Sequence, residues 1–100
     1  MQAAIDLARR FGLHVEFADL GDWHPAQLRA EYDPDGALIR VNLRLLKTMP
    51  DSDARRFALF AVAHEIYHHR EACGQVPRLR NLSERERAAD AFARELLACD

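Results

Sequence analysis

Lysine is nearly missing from this chain. Lys47 is the only one, and arginine supplies the rest of the fourteen basic residues. Sixteen acidic residues offset them, leaving a formal charge of −2. No surplus of positive charge remains to grip a phosphate backbone or an anionic lipid surface, so neither direct nucleic-acid binding nor a membrane role is expected. No apolar run approaches the roughly 20 residues that a bilayer-spanning helix requires. Met1 to Asp6 lacks the basic-then-apolar form of a signal peptide. Cysteine is scarce as well: Cys73 and Cys99 are the only two, without C-x-x-C spacing. They read as reduced thiols of a cytoplasmic protein rather than as a disulfide framework. No repeat or low-complexity segment occurs. The length implies a single domain over residues 1–100, with a small core drawn from the 49% of apolar residues.

What is present is organised around few punctuation marks. Ile5, Leu7, Ala8 and Phe11 predict a short amphipathic helix over residues 2–11, stopped by Gly12. Leu13 to Phe17 reads as a strand. Residues 26–32 and 37–43 alternate apolar and polar positions around Asp33-Pro34-Asp35-Gly36, a strong turn signal, and so predict an antiparallel hairpin. A long helix is expected from Pro50 to about Ala72, with Asp51 or Ser52 as N-cap and Gly74 as its stop. A last helix opens at Ser83, with Ala89, Phe92, Ala93, Leu96 and Leu97 at helical spacing.

Inside the long helix stands His64-Glu65-Ile66-Tyr67-His68, which reads H-E-x-x-H. Histidines at i and i+4 share a helix face with Cβ atoms about 5–6 Å apart. From there two imidazoles can ligate one zinc ion. Glu65 lies to the flank of that face, where it can act on a metal-bound water without being a ligand. The spacing is that of a zinc-dependent peptidase. The plain alternative is a helix whose two histidines pack against polar neighbours.

A catalytic zinc site needs a third protein ligand. His69 is rotated about 100° from His68, and His14 and His24 lie far upstream in strand and loop. Glu86 on the last helix is the better candidate. Asp90, one turn later, can accept the second ring N–H of a ligating histidine. Glu86 also has an ordinary explanation, since Ser83-Glu84-Arg85-Glu86 is a capping box in which Glu86 would bond back to the Ser83 amide. Glu71 and Glu95 read as solvated, and Arg85, Arg87 and Arg94 as a charged outer face.

His64 to His68, followed by Glu86-Arg87-Ala88-Ala89-Asp90-Ala91-Phe92-Ala93-Arg94-Glu95-Leu96-Leu97, resembles the ImmA/IrrE family of metallopeptidases and, more broadly, the gluzincins. The resemblance implies His64, His68 and Glu86 as zinc ligands and Glu65 as general base. It implies an α+β, minimal zincin-like fold: a small antiparallel or mixed sheet against a central H-E-x-x-H helix and a C-terminal helix. It also implies a protein or peptide substrate, such as a helix-turn-helix repressor. Two departures stand out. Tyr67 occupies a position that is usually small in the family, and the chain stops soon after Leu97 where the family often continues, as a minimal or a truncated version would.

The mechanism expected is hydrolysis by a zinc-activated water with Glu65 as base. Tyr67, Tyr32 and His69 are candidate donors to the oxyanion, and residues 37–43 are the expected edge strand for an extended substrate. The rival reading is a zinc-stabilised binding module that grips a regulatory partner without cleaving it; the intact Glu65 argues against it. A metal nuclease with a third histidine six residues after His68 meets Gly74 instead.

Overall fold

The computed structural model describes residues 1–22 and 28–98. Helix α1 spans Gln2–Arg9 and buries Ala4, Leu7 and Ala8. Its end is set by Gly12, whose φ is 76°. There the amide of Leu13 reaches back to the Ala8 carbonyl and that of Gly12 to the Arg9 carbonyl, the paired bonds of a Schellman motif. Strand β1 follows at His14–Ala18, one residue later than the pattern predicts.

Strands β2 (Ala30–Asp33) and β3 (Leu38–Asn42) pair antiparallel, as expected of a hairpin around the Asp-Pro-Asp-Gly turn. The first residues of the predicted hairpin, 26 and 27, lie outside the described residues, as does His24. β1 pairs with β3 in parallel, giving the order β1-β3-β2. The segment expected as the edge is therefore the central strand, and β2 is an edge. The reason is chain direction. A strand preceding a hairpin joins whichever hairpin strand lets its apolar face meet the core, and Ile39 and Val41 on β3 are both fully buried.

The predicted strand to residue 43 ends instead at Asn42, where a short helix α2 (Leu43–Leu46) begins. Asn42 explains the change. Its Oδ1 accepts the amides of Arg44 and Leu20, and its Nδ2 donates to the carbonyls of Gly21 and Leu28. A fully buried amide with all these bonds made caps α2 and ties both ends of the β1–β2 connection to the sheet.

Helix α3 spans Asp51–Ala72 and runs through the centre of the molecule, against α1, the sheet and α4. The N-cap position is Pro50 rather than Asp51 or Ser52, and no side chain caps it. The Pro50 carbonyl takes the first helical amide, from Ala54, and Asp51 and Asp53 face the positive helix end instead. Ala54, Ala58, Ala61, Val62, Ala63 and Ile66 are buried; the small side chains let neighbouring elements approach closely. Gly74, at φ 74°, ends α3 with a second Schellman motif: Gln75 bonds back to Arg70 and Gly74 to Glu71.

Helix α4 spans Leu82–Ala98 and packs on α3 through Ala89 and Ala93. Asn81, not Ser83, caps it: its Oδ1 accepts the Glu84 amide at 3.1 Å. Overall this is an α+β fold with a three-stranded mixed sheet. No described helix is long and apolar enough to cross a membrane.

Candidate metal centre

His64 and His68 share one face of α3 because they are one turn apart, and the helix buries that face. Their side chains are 6% and 14% exposed. Each ring is held from behind by a carboxylate. Asp90 Oδ1 lies 2.7 Å from His64 Nδ1, and Glu71 Oε1 lies 2.7 Å from His68 Nδ1. A carboxylate accepts, so each Nδ1 carries the proton and donates it. The lone pair of each neutral ring is then on Nε2.

The two Nε2 atoms face each other at 3.2 Å. Glu86 completes the group from α4, with its two oxygens 2.7 Å from His64 Nε2 and 3.4 Å from His68 Nε2. Glu65 Oε2 lies 3.7 Å from His64 Nε2, and His64, Glu65 and His68 can all offer a ligand atom within 4.8 Å of one another. The two Nε2 atoms and the Glu86 oxygens are all acceptors. Two imine lone pairs and a carboxylate cannot bond one another without a shared proton or cation. Donor atoms of a tetrahedral zinc with bonds of about 2.0–2.1 Å stand about 3.3 Å apart. The 3.2 and 3.4 Å separations match that edge, while the 2.7 Å contact has the length of a shared proton and would have to open. The donor set, two imidazoles and carboxylates, is one that zinc accepts.

The alternative role for Glu86, bonding back to the Ser83 amide, is not the one its carboxylate takes here. Asn81 caps α4, and Glu86 turns to the histidines. Asp90 stands as expected, on the ring N–H of His64. Glu71, expected to be solvated, and Arg85, expected on a charged outer face, instead pair with each other, while Glu95 is exposed as expected. Glu71 is buried, with a side chain only 2% exposed, and Arg85 bonds both of its oxygens at 3.2 Å. Burial works to raise the Glu71 pKa, but the Arg85 guanidinium and the His68 N–H outweigh it and hold it below the usual carboxylate value. The only local signal for Glu71 is its place one turn after His68.

Glu65 is different. Burial, followed by the nearby charge of Glu86, pushes its carboxyl up to about 8 from 4.5, with Arg29 pulling the other way. This carboxyl therefore holds its proton far above the usual carboxylate range.

A cavity of about 470 Å³ opens over these residues. Its walls include His64, Glu65, His68, Arg85 and Glu86 on one side and Leu28 to Tyr32 on the other. Tyr32 accordingly sits at the site, its hydroxyl 2.7 Å from His69 Nδ1. Tyr67 does not line the cavity. It packs edge-on against His68 and tilts onto Phe92, so its bulk braces the second histidine from behind. His69 is engaged by Tyr32, and His14 is exposed on β1. Comparison with protein-family models, curated proteins and solved structures found no match for this chain.

Proposed function

We propose that the chain is a zinc-dependent endopeptidase of the gluzincin, ImmA/IrrE-like kind, with a minimal zincin-like domain. His64, His68 and Glu86 hold the metal, and Glu65 is the general base. The observation that carries the reading is the convergence of two Nε2 lone pairs and the Glu86 carboxylate at one point, with a buried carboxyl beside them. A zinc ion held by these three residues would supply Lewis acidity, the chemistry that makes water acidic near neutral pH and polarises a carbonyl.

The chain's own groups do the rest. Glu65 takes the proton of the attacking water and passes it to the leaving amine; burial makes its carboxylate a stronger base than one in solvent. Asp90 and Glu71 keep both imidazoles in the Nδ1–H form. Tyr32 presents a hydroxyl donor, oriented by His69, for the developing oxyanion. Strand β2, an edge that lines the cavity, offers backbone groups to an extended substrate. The substrate class is a protein or peptide, with a cytoplasmic helix-turn-helix regulator as the proposed partner.

The test is direct. Purified protein should carry about one zinc per chain, and candidate regulators incubated with it should acquire new termini. Glu65→Gln should keep the metal and lose hydrolysis. His64→Ala or Glu86→Ala retaining full zinc would reject the ligand assignment. A wild type that binds zinc and a regulator but cleaves nothing would place it as a binding module instead.

A further inference from the structure

Each metal-facing ring is oriented by a carboxylate, but the two arrangements differ. Asp90, which serves His64, comes from α4 and is partly open to solvent. Glu71, which serves His68, comes from the end of α3 itself and is shut away from solvent. A carboxylate is stable there only if both oxygens are bonded. They are: Oε1 accepts His68 Nδ1 and Arg85 Nη2, and Oε2 accepts Arg85 Nε. Arg85 reaches this position from the first turn of α4, and the next residue in the chain is Glu86.

We propose that Glu71 and Arg85 are a positioning pair that locks the His68 ring and, through one fork of hydrogen bonds, sets the start of α4 so that Glu86 meets the histidines. The proposal rests on the metal-site reading, because it acts through His68 and Glu86 as ligands. The fork is specific to these two side chains. A guanidinium bonds both oxygens of a carboxylate at once, whereas an ammonium engages it as a point charge. A glutamine at position 71 has one acceptor where two are needed, and its NH₂ would face the N–H groups of Arg85 or His68. The pair closes across the exposed connector that follows Gly74, so it joins the two helices at the end where the ligands are.

The experiment is zinc affinity, measured with the full chain by competition against a chromophoric chelator at constant pH. The variants are Glu71→Gln, Arg85→Ala, Arg85→Lys and, as a control, Arg87→Ala on the exposed face of α4. Glu71→Gln and Arg85→Ala should bind zinc about 10- to 100-fold more weakly, with Arg85→Lys in between and Arg87→Ala unchanged. Cobalt-loaded Glu71→Gln should show altered visible absorption, a readout that a tether remote from the ligands would not move. A folded Glu71→Gln protein with wild-type zinc affinity and cobalt spectrum overturns the proposal. Should that variant not fold, Arg85→Lys decides, and wild-type affinity there overturns it equally. Hydrolysis plays no part in these readouts. A wild type that binds zinc but cleaves nothing overturns the peptidase reading and leaves the pair standing; one that takes up no zinc overturns both.

Discussion

The buried Glu65 carboxyl makes the metal-free protein sensitive to pH in one direction. Its pKa is about 8 in the folded chain against 4.5 for a free side chain. The folded state therefore holds a proton that the unfolded state has released. Stability from this group is fully present below about pH 4.5, falls as pH rises, and levels off above about 8. At about 1.4 kcal/mol per pH unit, the loss is about 3 kcal/mol at pH 7 and about 5 kcal/mol at pH 9. That is a large share of the roughly 5–15 kcal/mol that stabilises an ordinary domain. Glu65→Gln replaces the neutral acid by a neutral amide of the same shape and does not titrate. Comparing the two proteins cancels every other titrating group. In urea denaturation with a chelator present, the variant and wild type should unfold at similar urea concentrations at pH 4.5. The variant should then gain about 3 kcal/mol by pH 7, a midpoint shift of about 2 M for a urea slope of about 1.5 kcal/mol/M. A difference that stays flat from pH 5 to 8 would refute the reasoning.

Other perturbations have defined outcomes. Tyr32→Phe should lower kcat about 10²-fold with little change in KM, measured on a cleaved substrate, because it removes a donor needed only when charge develops. Asn42→Ala should cost about 2–4 kcal/mol by chemical denaturation, since it removes four hydrogen bonds around the β1–β2 connection and α2. Gly74→Ala should lower stability by about 1 kcal/mol. The added methyl meets nothing within 4 Å, so the cost comes from the positive φ alone.

The features legible in the sequence were those written locally. The helical spacing of the two histidines, the glycines at 12 and 74 and the Asp-Pro-Asp-Gly turn each act within a few residues, and α1, α3 and the hairpin sit close to where they predict. The place of β3 in the sheet was not legible, because it depends on which strand β1 joins, a pairing across more than twenty residues. The Ser83 capping box was a sound pattern overruled by Asn81, two residues earlier, once Glu86 had turned to other partners. Glu71 and Arg85 were misread for a related reason. Burying a charge is decided by its partner, and theirs is fourteen residues away. Asn42 looked like one polar position in an alternating strand; only the returning loop reveals its bonds.

The proposed ligand atoms and the carboxylates behind them all come from two helices joined by a short connector; the sheet contributes only the facing wall of the cavity. An ion gripping both helices would act on the chain as a reversible crosslink between residues 64 and 86. Closing a loop of that length restricts the unfolded ensemble by about 3 kcal/mol, as a disulfide of similar span does. A chain with only two cysteines would thereby gain a staple that thiol reductants cannot cut, released by loss of metal instead.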